Sequence, residues 1–122
     1  MRNQPKYNFI KNTTYALKGL KNIISTESSF RIELIVTLLA LPLIYFVDTS
    51  LTNKILLLFS LLLVLLSEAV NSAIERVVDL VTLEHHALAG QAKDAGSAAV
   101  FISIMIASFT WIIVLADSFN LL

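Results

Sequence analysis

The sequence predicts an all-α membrane protein with three transmembrane helices and an N-terminal amphipathic helix at the interface. Three observations carry this. The chain has 122 residues, 57% of them hydrophobic and only 15% charged. So small a domain has little interior, and most of that apolar surface would face water in a soluble monomer. Three long apolar stretches account for the excess, and one of them, Ala95 to Ala116, carries no charge at all. Finally, the basic residues crowd towards one end of the chain. The net charge is zero and there are no cysteines, which argues against a nucleic-acid binder, a disulfide scaffold or a thiolate metal site.

Residues 1–31 hold Arg2, Lys6, Lys11, Lys18, Lys21 and Arg31, against Glu27 as the one acid. Leu17, Leu20 and Ile24 recur at helical spacing, with Lys18 and Lys21 beside them. This pattern predicts a helix lying on an anionic membrane surface. The spans follow at about residues 32–47, 55–80 and 95–116. Pro42 lies within the first and is expected to kink it. Asp48, Thr49, Ser50, Thr52 and Asn53 mark a tight turn before the second. A second connection, about Thr82 to Asp94, contains Gly90 as an expected helix stop or hinge. With the N-terminus inside, eight of the nine basic residues fall on the cytoplasmic side. Small residues of the third span, Gly96, Ser97, Ala99, Ser103 and Ala107 among them, suit close packing of helices and an oligomer.

The chemistry lies in the second half of the middle span. On a helix Glu68, Ser72, Glu75 and Asp79 fall on one stripe, with Asn71 at its edge. Carboxylates at this spacing repel unless something cationic sits among them. Glu68 follows a run from Ile55 to Leu66 that is apolar except for Ser60, so it is a candidate general base. Glu75, nearer the aqueous end, is a candidate oxygen ligand for a hard cation, and Glu27 can supply a second. Glu27 could equally pair with Arg31, and Arg76 could tie the acids into a packing network. Lys93 is either a phosphate contact or an anchor at the helix end. His85 and His86 are adjacent and make a poor metal pair. No glycine-rich nucleotide loop, kinase signature or nucleophile elbow is present.

The run Glu68-x-x-Asn71-Ser72-Ala73-Ile74-Glu75-x-x-x-Asp79, then His86-x-Leu88 and Ala92-Lys93-Asp94-x-Gly96-Ser97-Ala98-Ala99-Val100, resembles the prokaryotic diacylglycerol kinase family. The likeness extends to Tyr15, Lys18-Gly19-Leu20, Glu27 and Phe30-Arg31-x-Glu33. It implies a homotrimeric helical bundle in the inner membrane, with active sites shared between subunits. The implied reaction transfers the γ-phosphate of MgATP to diacylglycerol, giving phosphatidic acid. By the same resemblance, Glu68 is the catalytic base and Glu27 and Glu75 hold Mg²⁺. Tyr15, Glu27, Glu75, Glu84, His86, Lys93 and Asp94 contact nucleotide, and Arg31, Glu33, Glu68, Asn71 and Ser97 lie near the lipid substrate.

The chain departs from the family pattern at Asn8, where an Arg is common, and at Ala16-Leu17, where Ser-Trp is common. A branch similar to this family phosphorylates undecaprenol instead, and Asp79-Leu80-Val81-Thr82 with His85-His86 leans that way. Gly96 to Val100 and Thr110-Trp111 lean towards diacylglycerol. Without the resemblance, the acidic stripe also fits a non-enzymatic membrane subunit or a small ion-coupled transporter.

Overall fold

The computed structural model describes residues 5–122. Arg2, counted above with the basic segment, lies outside them. The described residues form four helices in chain order: α1 (Phe9–Thr26), α2 (Ser28–Phe46), α3 (Leu51–Val81) and α4 (Ala87–Ser118). The last three are long and apolar enough to cross a membrane. Short connections make them alternate in direction. α3 packs chiefly on α4 and then on α2, while α1 rests mainly on α2.

Local chemistry sets the helix ends. Asn8 caps α1 by accepting from the Lys11 backbone N–H at 3.0 Å. Its departure from the family pattern thus has a structural use, since a capping side chain satisfies an otherwise orphaned donor. Ser50 caps α3 in the same way, accepting from the Asn53 N–H at 3.2 Å. Lys54 reaches back across this turn and donates to the Tyr45 carbonyl at 2.7 Å. His86 caps α4 through Nδ1, which accepts from the Leu88 N–H at 3.2 Å.

Several expectations need correction. The second connection is shorter than expected: α4 already begins at Ala87, and Gly90 lies inside it, donating its N–H to the His86 carbonyl. With a capping His86 just upstream, the helix starts before the glycine, which therefore does not stop it. Pro42 lies inside α2 as expected, and the helix continues past it to Phe46. All three spanning helices run beyond their apolar stretches, because polar residues at their ends keep helical backbone. Glu27 and Arg31 do not pair through their side chains. Arg31 instead donates to the Ile24 and Ser25 carbonyls, both at 3.0 Å, and so satisfies acceptors at the C-terminus of α1.

The apolar core sits at one end of the bundle, where Ile44, Leu57 and Val114 meet, with Val47, Leu61 and Trp111 packed around them. Elsewhere most buried positions are small, namely Thr37, Ser60, Ser72, Gly96, Ser103 and Ala107, with Phe30 and Val64 beside them. Several of their hydroxyls fold back onto their own helix, as Ser60 does onto the Leu57 carbonyl and Ser103 onto that of Val100, both at 2.7 Å. Their hydrogen bonds are satisfied locally, so the backbones can approach closely. Large apolar side chains such as Ile35, Leu39, Phe59, Phe101 and Ile112 point outwards. In lipid that arrangement carries no hydrophobic penalty.

Candidate active site

The polar groups gather at the opposite end from the apolar core. The apolar run of α3 starts at Ile55. At helical rise, Glu68 stands about 20 Å further along, Glu75 about 30 Å and Asp79 about 36 Å. A hydrocarbon layer is about 30 Å thick. With the bilayer edge set at Ile55, Glu68 falls within membrane depth, Glu75 at the boundary and Asp79 beyond it. One helix face carries a graded series of carboxylates from lipid to water.

The neighbouring elements bring further acids to this face. Glu33 of α2 faces Glu68, near enough for the two carboxyl groups to feel one another. The charges of Glu75 and Glu27 also reach Glu68. One buried oxygen of Glu33, Oε2, has no hydrogen-bond partner among the described residues. The Asn71 side chain donates to Glu75 Oε1 at 3.3 Å, and its own oxygen is buried without a partner. The unpartnered Glu33 oxygen beside Glu68 leaves unmet demand for a donor, which a hydroxyl or a bound water would supply.

Glu27 occupies the break between α1 and α2. Its backbone is extended, so it closes one helix and opens the next. That bend turns its side chain towards α3, where Ser72 donates to Oε1 at 3.0 Å and Arg76 donates to the same oxygen at 3.1 Å. Arg76 also donates to Asn22 Oδ1 at 2.6 Å and Thr26 Oγ1 at 2.8 Å. The packing network expected of Arg76 thus exists, but it joins α3 to α1.

At the aqueous end, Lys93 of α4 pairs with Asp79 of α3 at 2.6 Å. Glu84, His86 and Lys93 line one cavity of about 260 Å³ with Asp79, Thr82 and His85. Polar groups of both signs surround it, as a nucleotide site would need. Tyr15, Asp94 and Ser97 are exposed, and no side-chain hydrogen bond among the described residues ties them to the acids. The roles of Asn22 and Thr26 were missed in the sequence. Their spacing of four on α1, one helical turn, was the available signal.

The donor set fits Mg²⁺ in one respect. Among the described residues, no group of three or more His, Cys, Asp or Glu forms a closed metal cage. Mg²⁺ commonly takes one or two carboxylates, completing its shell with water and substrate phosphates. Glu27 and Glu75 offer such oxygens at the rim of the polar face.

The family described as prokaryotic diacylglycerol kinase matches residues 14–115. A protein of Escherichia coli (strain K12) named diacylglycerol kinase is 44% identical over 111 residues, covering 91% of each chain. A Haemophilus influenzae protein of the same name is 42% identical over 102 residues, covering 84% of this chain and 86% of that one. A Helicobacter pylori counterpart (strain J99) is 34% identical over 97 residues, covering 80% and 76%. With its three spanning helices and carboxylate-lined face, the chain belongs to the prokaryotic diacylglycerol kinase family.

Proposed function

We propose that this protein is a membrane-embedded lipid kinase that transfers the γ-phosphate of MgATP to diacylglycerol, giving phosphatidic acid and ADP. The observation that carries the reading is the graded carboxylate face of α3, with Glu68 at lipid depth against Glu33 and Glu75 at the boundary. A lipid hydroxyl reaches Glu68 from the bilayer, while a nucleotide reaches Glu75 and Lys93 from water. Both substrates thus meet without a separate nucleotide-binding domain.

In this reading the ionised Glu68 carboxylate accepts the hydroxyl proton as the lipid oxygen attacks the γ-phosphorus. The bond from that phosphorus to the β,γ-bridging oxygen breaks, and ADP leaves. Glu27 and Glu75 would hold Mg²⁺, which when bound would neutralise charge on the phosphates. Asn71 orients Glu75. Lys93, drawn from Asp79, offsets negative charge on the nucleotide. Most of the rate enhancement then comes from positioning, which a small helical bundle can supply.

The protein sits in the bacterial inner membrane with its N-terminus in the cytoplasm, as the one-sided basic residues favour. It works as a homotrimer. Support comes from the small share of each span that one protomer buries, 17 to 22%, and from the small residues on α4. The test is Glu68→Gln in lipid nanodiscs. The variant keeps its helical content and binds MgATP, yet forms phosphatidic acid at least about 100-fold more slowly. Wild-type turnover in this variant would remove Glu68 from the mechanism.

A further inference from the structure

Arg76 is exposed over nearly half of its side chain, at 46%, yet its guanidinium holds three acceptors at once. Asn22 and Thr26 belong to the last turns of α1, and Glu27 follows directly. No residue of α1 is buried, so its apolar packing on the bundle is slight. An exposed ion pair adds little to stability. A planar guanidinium with several fixed donors is instead suited to setting geometry.

The distribution of hydrogen bonds on Glu27 is one-sided. Ser72 and Arg76 both donate to Oε1. Among the described residues, no hydrogen bond falls on Oε2. The carboxylate is thus held by one oxygen with the other left to face a ligand. Outer groups that orient a metal-binding carboxylate commonly act in this way.

We propose that Arg76 is a positioning residue: it latches the end of the surface helix α1 onto α3 and presents the free oxygen of Glu27 to the metal of MgATP. The inference rests on the lipid-kinase reading for its purpose, but the latch can be tested apart from turnover. Three variants serve: Arg76→Met, Arg76→Lys, and Asn22→Ala with Thr26→Ala. Arg76→Lys keeps the charge and loses the fork, so it covers the case in which Arg76→Met fails to fold.

Two readings without turnover are made in nanodiscs. One is amide hydrogen exchange across residues 22–27 in the absence of nucleotide. The other is binding of Mn²⁺, followed by electron paramagnetic resonance, with a non-hydrolysable ATP analogue. We expect faster exchange in all three variants and Mn²⁺ affinity weakened about 10-fold or more in Arg76→Met. Arg76→Lys and the double variant should fall between that and wild type. Unchanged exchange would overturn the latch. Faster exchange with unchanged or tighter Mn²⁺ would overturn the link to Glu27, leaving Arg76 as a structural tie only. A wild-type protein that shows the latch but forms no phosphorylated lipid would instead overturn the kinase reading.

Discussion

Gly96 of α4 lies against the carboxamide of Asn71 on α3, so closely that a Cβ at position 96 would overlap the Asn71 side-chain oxygen. The glycine is buried, and Ile74 closes the same spot from the side. This contact sets where the Asn71 amide points, and that amide donates to Glu75. A small residue in one helix therefore tunes a polar residue in the next.

Gly96→Ala should consequently impair chemistry more than folding. The obstructing atom ends a rotatable side chain, so Asn71 can swing aside and the helices can stay paired. Its bond to Glu75 is then lost. We expect helical content and detergent stability close to wild type, with turnover reduced about 10-fold or more, as misplacement at a site can do. Full activity in the alanine variant would separate Asn71 orientation from catalysis.

Removing either proposed metal ligand should raise the metal requirement. Glu27→Gln and Glu75→Gln both keep the size of the side chain and lose its charge. We expect the Mg²⁺ concentration for half-maximal activity to increase about 10-fold or more in each. Thermal midpoints in detergent should move little. A Mg²⁺ titration identical to wild type in both variants would reject these ligands.

The Asp79–Lys93 pair should divide along functional lines. Both side chains are substantially exposed, at 49% and 41%, so breaking the pair has little effect on stability. Asp79→Asn frees Lys93 and should leave the thermal midpoint nearly unchanged. Lys93→Met removes a cation from the nucleotide cavity and should raise KM for ATP several-fold. Equal KM values in wild type and Lys93→Met would make Lys93 an anchor and no more.

The helix N-cap at Ser50 offers a check on the fold itself. Ser50→Ala deletes the acceptor for the Asn53 N–H, at a cost of about 1 kcal/mol. Because Ser50 lies at the end remote from the acids, we expect a small drop in thermal midpoint with KM unchanged. A large change in KM for ATP would mean that the two ends are coupled.

Much of this was legible in the sequence, for identifiable reasons. Apolar length located three spans, since lipid forces the backbone to satisfy itself. The stripe of Glu68, Ser72, Glu75 and Asp79 followed from helical periodicity alone. Contacts between helices were not legible in the same way. That Arg76 bonds to Asn22, Thr26 and Glu27 depends on how α1 folds back over α3, across roughly fifty residues of chain. The pairing of Lys93 with Asp79 required a tight turn, and the sequence reading set that connection too long. Gly90 misled because a glycine near a helix end marks a stop only where no cap precedes it. Here His86 had already started the helix.

The most direct measurement is transfer of labelled phosphate from ATP, with Mg²⁺ in detergent micelles, to diacylglycerol and to undecaprenol in parallel. Label should appear in phosphatidic acid, dependent on Mg²⁺ and Glu68, with undecaprenol a poor acceptor. Preference for undecaprenol would keep the fold and the carboxylate face but contradict the assigned substrate. No transfer to either lipid would contradict lipid kinase activity.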